Sequence, residues 1–339
     1  MKRNFIVVTL CALCLCAQAS AAPAVAAARA AQEAPPPAPE AEVKAAQAVQ
    51  SAADAAAALK AAEVFVKKHP RSVIRPQVAR IAADKIGATA DAAARASQGE
   101  NFLKIFSAPE EANLINQHLV RAYVDVKRYD DAYRVGSVAA VEKFSDPVAP
   151  MLTLAITGVQ LARQQNPKYV EQSVRLGMRA IELIEADKKP AGVDAADWAD
   201  YKTKWLPQVY QELGFMSLSA GNLEDAKAKL ARAAALNTTD PQTYALLGYI
   251  ADQEYKKLAE EHKAAAAGAP KNALLAKAHE QMDKVIEAYA HAIGLADGEA
   301  RFEQLRTQLR EDLENYYKYR KGSSEGLQQL IDKYKKAKS

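Results

Sequence analysis

Apolar and polar residues follow one another along this chain with the period of an amphipathic helix. From Ala41 onward, apolar residues recur every three or four positions, and no segment shows the alternation of β-branched residues that is typical of a strand. Short turn signals ("DP", "NP", "AGN", "GAP" and "KGSS") separate the periodic segments. The pattern predicts an all-α protein whose consecutive helices run antiparallel to each other.

The bounds of the predicted helices follow from these punctuating residues. The helix in "AALKAAEVFVKKHPRS" ends at Lys67 or Lys68, because the residue before Pro70 is disfavoured in the α region. The other helices are predicted at 73–87, 89–106, 110–126, 129–143, 148–164, 167–186, 195–205, 207–220, 222–236, 241–266, 271–296, 299–321 and 324–337.

Two eight-residue stretches of the chain share Pro, Gln, Tyr, Leu and Gly at the same positions. "PQVYQELG" begins at Pro207 and "PQTYALLG" begins at Pro241, an interval of 34 residues. Proline suits the start of a helix because its missing N–H has no intrahelical partner there, and Asp240 is a favourable N-cap. Gly214 and Gly248 have no side chain, so a second helix can approach them closely. The sequence pattern of one helical hairpin therefore occurs twice.

This interval and these residues resemble the tetratricopeptide repeat. Tyr210 and Tyr244 stand at the usual Trp position, Gly221 in the turn, and Ala226 and Ala233 at the small positions where paired helices touch. The resemblance implies an α-solenoid, a right-handed superhelix of antiparallel helical hairpins, with five or six hairpins of which most are degenerate.

Weaker matches to the same pattern occur earlier in the chain. "RYDDAYRVGSVAAVE" and "KYVEQSVRLGMRAIE" align at an offset of 41 residues and resemble second helices of such hairpins. Ala139 and Ala180 are then expected at the small positions, in contact with a neighbouring helix.

The resemblance also implies a concave groove lined by the first helix of each hairpin. The residues at groove-facing positions are Gln208, Gln211, Phe215, Ser219, Gln242, Ala245, Tyr249, Asp252 and Gln253. Phe215 and Tyr249 are expected to form a ladder of aromatic rings that binds a peptide, or else to be covered by the flanking helices of the chain. The cationic clamp that some family members use is missing, because Gln211 and Phe215 replace the expected Lys and Asn.

The second of these hairpins is expected to be longer than the family pattern. The small position reappears at Ala292, 59 residues after Ala233, and Gly268 and Pro270 mark the reversal of the chain. The extra 25 residues lengthen the hairpin by roughly 19 Å. The resulting arm, at about 254–280, is either a contact element or an exposed elaboration.

The N-terminus predicts export. "MKRN" is a basic segment, "FIVVTLCALCLCA" is an apolar core too short for a permanent membrane span, and the small residues that follow predict cleavage after Ala19 or Ala21. Leucine precedes each of the three cysteines, which disfavours a lipoprotein signal. A soluble periplasmic or secreted protein is expected, without membrane contact after cleavage.

Composition narrows the classes of function. All three cysteines (Cys11, Cys14 and Cys16) lie in the predicted signal, so the mature chain forms no disulfide or thiolate metal site. Removal of Lys2 and Arg3 lowers the formal charge from +4 to +2, which argues against nucleic acid as a partner. No P-loop, GxSxG motif or HExxH motif is present, and no cofactor is expected.

One group of residues suggests a metal site. His279, Asp283, Glu287 and His291 are spaced by four on one predicted helix, so adjacent members face the same way. The helix face turns by about 40° at each step of four, so the four side chains do not converge on one ion. A solvated helix face is the preferred interpretation, and a metal-dependent hydrolase is the alternative.

Two aromatic segments also allow two interpretations. Trp198, Tyr201 and Trp205 form one helical stripe, either in the core or as a binding patch, and the core is preferred. The basic C-terminal segment from Tyr316 contains apolar residues at helical spacing and is expected to pack on the end of the solenoid. Binding of this tail to an anionic envelope surface is the alternative.

The sequence thus predicts a non-enzymatic, exported repeat scaffold that binds another protein or a peptide segment in the periplasm or cell envelope. The predicted organisation is a signal peptide (1–21), an Ala/Pro-rich tether (22–40), degenerate hairpins (41–186), a connecting helix (187–206), hairpins with the long arm (207–298) and capping helices with a basic tail (299–339).

Overall fold

The computed structural model describes residues 39–335, and every regular element among them is a helix. The predicted all-α class is confirmed for this part of the chain. The α-helices are α1 (Glu40–Gln50), α2 (Ala55–Lys68), α3 (Arg75–Gly87), α4 (Ala92–Ile105), α5 (Pro109–Asp125), α6 (Tyr129–Val135), α7 (Val138–Val141), α8 (Val148–Arg163), α9 (Val170–Glu185), α10 (Ala195–Asp200), α11 (Leu206–Ser219), α12 (Leu223–Leu236), α13 (Pro241–Ala264), α14 (Ala269–Leu295), α15 (Glu303–Lys321) and α16 (Leu327–Asp332).

Three predictions fall wholly or partly beyond the described residues. The signal peptide 1–21 and nearly all of the tether 22–40 lie there, as does the end of the basic tail, 336–339. Within residues 39–335, no helix is both long and apolar enough to cross a bilayer.

Side-chain caps set the start of several helices. Asp54, Asp91, Asp194 and Asp240 each accept a hydrogen bond from a backbone N–H in the first turn of the helix that follows, and Asn222 does the same for α12. Such a cap contributes about 1 kcal/mol to helix stability. The predicted N-cap at Asp240 is confirmed.

Helices that follow one another along the chain pack together. Pairs in contact include α1 with α2, α4 with α5, α8 with α9, α11 with α12, and α13 with α14. Further contacts join α3 to α5, α5 to α8, and α11 to both α8 and α9. One hydrophobic cluster extends through the first eleven of these helices, from Val49 in α1 to Leu213 in α11.

Small residues set the distance between the paired helices. A Cβ on Gly214 would lie 2.7 Å from the Leu230 side chain on α12, and a Cβ on Gly248 would overlap the Tyr289 ring on α14. The close approach predicted at these two glycines is confirmed. Four of the predicted small positions are fully or almost fully buried: Ala180, Ala226, Ala233 and Ala292.

The helix predicted at 129–143 is broken. It ends at Val135, and only Val138–Val141 is helical beyond it. Gly136 is the C-cap, and its bare backbone packs against Leu154 of α8. A side chain at position 136 would overlap Leu154, so this contact requires glycine. Glycine in a helix interior costs about 1 kcal/mol relative to alanine, and the helix therefore breaks here. Ala139 is exposed, so its predicted contact with a neighbouring helix is wrong.

The helices predicted at 195–205 and 207–220 are one continuous helical run. Between α10 and α11, residues Tyr201–Trp205 form a π-helix, in which the Leu206 N–H bonds to the Tyr201 carbonyl. Pro207 has no N–H for the Thr203 carbonyl, and its ring would clash with that carbonyl in a regular α-helix. The wider π turn accommodates the proline without ending the helix.

The aromatic stripe of this run belongs to the core. Trp198 and Tyr201 are buried in the large hydrophobic cluster, and Trp205 packs against it partly buried. The preferred interpretation of the stripe is confirmed for Trp198 and Tyr201.

The long helices α13 and α14 have 24 and 27 residues, about 36 and 40 Å of helix. Gly268, with φ of 134°, directly precedes α14, and Pro270 lies in the first turn of that helix. Along the pair, Tyr244 contacts His291 and Gly248 lies against Tyr289. The residue numbers of the contacting positions therefore increase along α13 and decrease along α14.

The C-terminal helices pack on α14. Leu327 and Ile331 of α16 are buried in a second hydrophobic cluster, with Leu330 and Tyr334 packed against it. The helix predicted to begin at 324 begins at Leu327 instead. Gly326 has φ of 85°, in the left-handed region, and therefore cannot belong to the helix.

Candidate functional site

A polar cleft with a volume of about 440 Å³ brings together three of the nine predicted groove residues. It lies between the start of α11, the connection from α12 to α13, the first turn of α13, and the 3₁₀ turn Ala300–Phe302. Its lining consists of Lys204, Pro207, Gln208, Gln211, Glu212, Asn237, Asp240, Gln242, Thr243, Arg301 and Phe302.

Gln211 is fixed at the base of this cleft. Its buried amide donates to Thr243 Oγ1 at 2.9 Å and to the carboxylate of Asp240. Asp240 also accepts hydrogen bonds from the backbone N–H and the hydroxyl of Thr243. These hydrogen bonds join the N-cap residue of α13 to α11. They fix the positions of the two helices, which form walls of the cleft, relative to each other.

Unlike the Gln211 amide, the side-chain amides of Gln208 and Gln242 have no hydrogen-bond partner in the described chain. Gln242 is exposed and Gln208 is half-buried. Each amide offers a donor and an acceptor, which is the complement of a peptide bond. The cleft therefore has two amides that are free to bind a ligand.

Glu212, buried in the lining of the cleft, forms an ion pair with Arg163, whose side chain is 36% exposed. Glu212 Oε2 lies 2.7 Å from Arg163 Nη2, and the Arg163 guanidinium lies 4.2 Å above the Phe215 ring centroid. Burial raises the pKa of the Glu212 carboxyl, while Arg163 opposes that shift. Removing Arg163 would leave the buried Glu212 carboxylate without its counter-ion.

The other predicted groove residues do not line this cleft. Phe215 is covered by Arg163 and makes no ring contact with Tyr249 in the described chain, and the hydroxyl of Ser219 donates to the Phe215 carbonyl at 3.0 Å. Tyr249 is 46% exposed. Ala245 and Gln253 are half-buried on α13.

The carboxylate of Asp252 is bonded to other side chains of the protein. It is buried, lies 2.7 Å from Lys256 Nζ, and accepts a hydrogen bond from the hydroxyl of Tyr316 on α15. Because these bonds occupy its carboxylate, Asp252 is not available to a ligand in this conformation.

The structure separates the four residues of the candidate metal group. Asp283 pairs with Arg320 at 3.0 Å, Glu287 pairs with Lys333 at 3.1 Å, and His291 is stacked between two tyrosine rings. Within residues 39–335, no group of three or more His, Cys, Asp or Glu side chains is placed to hold a metal ion.

The tyrosines of the C-terminal segment are mostly engaged. The hydroxyl of Tyr316 donates to Asp252, that of Tyr317 donates to the Glu325 carbonyl at 3.0 Å, and Tyr334 stacks on His291. Tyr319 alone among these four is largely exposed.

A second cleft, with a volume of about 280 Å³, lies outside all of the predicted sites. Three separate parts of the chain form it, namely α5, α8 and the π-helix, and its lining is Gln117, Val120, Arg121, Ala149, Pro150, Leu152, Thr153, Tyr201 and Trp205. The only local signal is the position of Pro207 two residues after Trp205, which hints at an altered helical turn.

Comparison with known proteins gives no relative for this chain: no family model matches it, and no curated protein shows significant similarity to it.

Proposed function

We propose that this protein is an exported, non-enzymatic scaffold that binds an extended segment of another protein in the polar cleft. The scaffold is proposed to be a solenoid of helical hairpins similar to tetratricopeptide repeats. No cofactor, metal or catalytic residue takes part in this function.

Two observations support the repeat arrangement. The "PQVYQELG" and "PQTYALLG" stretches stand 34 residues apart, and each contributes a glycine that lies against the following helix. The Gly214 backbone meets Leu230, and the Gly248 backbone meets Tyr289. The two stretches thus have the same role in successive helical pairs.

The free amides of Gln208 and Gln242 carry the proposal. They project into one cleft from two successive helical pairs, while Gln211 between them is fixed by Asp240 and Thr243. Amide side chains in such a row can bond to the N–H and C=O groups of an extended backbone. Tyr249, exposed on α13, would extend the contact surface beyond the cleft.

Export supports a partner in the periplasm or cell envelope. The basic segment, the apolar core and the small residues of 1–21 together support a cleavable signal. Mass spectrometry of the protein from an envelope fraction would test this, with an N-terminus at Ser20 or Ala22 as the expected result.

Site-specific photocrosslinking tests the cleft. A photoreactive phenylalanine at Gln242 should crosslink one defined partner in the native cell, whereas the same residue at Glu224, exposed on α12, should not. The double substitution Gln208→Ala, Gln242→Ala should weaken binding of that partner by on the order of 10-fold, as expected for two lost hydrogen bonds.

Two outcomes would reject the proposal. Equal crosslinking from both positions would remove the cleft as the binding site. A stoichiometric transition metal in the purified mature protein would favour the metal-dependent enzyme instead.

A further inference from the structure

The second cleft has chemistry of its own, separate from that of the polar cleft. We propose that it binds a small carboxylic acid with an apolar, ring-sized body. The proposal stands on the walls of the cleft, on its free hydrogen-bond donors and on its charge, and it does not depend on the function proposed above.

The walls are largely apolar. Val120, Pro150 and Leu152 are buried residues of α5 and α8, and the indole of Trp205 stands opposite them, partly exposed. An indole and a proline ring favour contact with a flat or branched apolar group. The volume of about 280 Å³ is at the lower end of the range for ligand pockets, so a small ligand is expected.

The free polar groups of the cleft are mainly donors. The Trp205 indole N–H and both terminal nitrogens of Arg121 have no hydrogen-bond acceptor among residues 39–335. The Gln117 side-chain oxygen is already occupied, since it accepts from the Ser145 hydroxyl at 2.8 Å. A ligand that presents acceptors is therefore favoured over one that presents donors.

The charge at the edge of the cleft is positive. Asp125 is shared by two arginines, with Arg121 Nε at 2.9 Å and Arg95 Nη2 at 3.2 Å. One carboxylate thus faces two guanidinium groups, and Arg121 remains 62% exposed. Guanidinium binds carboxylate with two parallel hydrogen bonds, for which the terminal nitrogens of Arg121 are available.

A second acid, Asp146, is bonded to the cleft residue Tyr201 but has its own donors. Asp146 accepts hydrogen bonds from the Tyr201 hydroxyl and from the N–H groups of Val148 and Ala149 at the start of α8. Those donors and the positive end of the helix dipole stabilise the Asp146 carboxylate, and its side chain does not line the cleft.

Three matched probes test the proposal on the full mature protein. Phenylbutyrate, phenylbutanol and phenylbutylamine share one apolar body and differ only in the end group. Titration followed by tryptophan fluorescence and by NMR should give saturable binding of phenylbutyrate, tighter than that of the other two by on the order of 10-fold, because a charged hydrogen-bonded pair is added.

Substitutions test which residue gives the preference for the carboxylate probe. Arg121→Gln should abolish the preference for the carboxylate. Arg134→Gln should retain it, and Arg134 is a matched control because it is 66% exposed and likewise shares one aspartate, Asp131, with a second arginine. Thr153→Phe should fill the cleft and abolish binding of all three probes.

The proposal fails if the three probes bind equally, if none binds saturably, or if the carboxylate preference survives Arg121→Gln. Circular dichroism on each variant confirms that a loss of binding does not come from unfolding.

Discussion

Four polar residues that were predicted to face a groove, and that look alike in the sequence, divide into two kinds in the structure. Gln211 and Asp252 are buried and bonded to Thr243 and Tyr316, whereas Gln208 and Gln242 carry free amides. The helical register gives the direction of each side chain on its own helix. It does not give the partner that another helix supplies, since Tyr316 is 64 residues away from Asp252 in the chain.

His291 shows how packing changes the chemistry of a single residue. Its ring centroid lies 3.6 Å from that of Tyr244 and 4.0 Å from that of Tyr334. Burial lowers the pKa of His291 below its ordinary value of 6.5, and Lys333 adds to this shift while Glu287 opposes it. The folded protein therefore binds this proton less readily than the unfolded chain does.

The sign of the pH dependence follows from that difference. The contribution of His291 to stability is complete above the ordinary pKa and is lost as the pH falls below it, because the unfolded state gains the proton first. We expect the Tm of the wild type to drop between about pH 7 and pH 5 by more than that of His291→Phe, which keeps the ring stack.

His279→Phe, on the same helix but outside the stack with Tyr244 and Tyr334, is the matched control for the substitution itself. Burial also lowers the pKa of His118, but both proteins contain that residue, so the difference between them isolates His291. Identical Tm profiles for the wild type and His291→Phe would contradict the assignment.

At the scale of the elements, the sequence predicts most helices but not their continuity. The bounds of α2, α8, α12 and α13 agree closely with the prediction, because Pro70, Pro241 and the capping residues act locally. The break after Val135 and the π-helix before α11 depend on neighbours instead. Leu154 packs against Gly136, and the large hydrophobic cluster buries Trp198 and Tyr201, which precede Pro207 in the same helical run.

The same distinction applies to the two clefts. Gln208, Gln211 and Gln242 were found because one repeat relates their positions in the chain. The residues of the apolar cleft have no such relation, and only the packing of α5 and α8 on the π-helix brings Arg121 and Trp205 together.

The π-helix can be tested by deletion. Removing Thr203 takes out the extra residue, so the flanking helices can keep their packing in a regular α-helix. The Pro207 ring then meets the carbonyl four residues before it, and we expect this deletion to cost about 3 kcal/mol of stability. The same deletion combined with Pro207→Ala should recover most of that loss, as measured by denaturant unfolding.

Deletion of Ala228 in α12 is the matched control. It rotates Leu230 and Ala233 by about 100° away from their buried positions, so no proline substitution should rescue it. If the Thr203 deletion is equally stable with and without Pro207, the proline is not the cause of the π turn.

Across the described chain as a whole, the hydrophobic core is divided unevenly. One cluster extends from Val49 to Leu213, and a second joins α13, α14, α15 and α16 from Ala251 to Ile331. Between them lies a small cluster of Ala226, Leu230 and Ile250, where α12 meets α13. The polar cleft opens beside this junction, with Asn237 and Asp240 in the α12–α13 connection.

Because so few buried residues connect the two large clusters, a single truncation there should uncouple them. Ile250 is 1% exposed, and Ile250→Ala is expected to cost about 2–5 kcal/mol. We expect one thermal transition for the wild type and two for Ile250→Ala. In hydrogen exchange, α13–α16 of the variant should lose protection before α1–α9 do, because stability varies among cooperative units.

Ile86→Ala removes the same volume from the interior of the first cluster, where Ile86 is fully buried. That variant should lower the Tm of the first cluster without making α13–α16 exchange early, because the junction stays intact. If Ile250→Ala instead unfolds in one transition with uniform exchange, the two clusters are held together by more than the α12–α13 contact. The salt bridge between Lys227 and Glu254, 2.7 Å long across the same junction, would then be the next contact to remove.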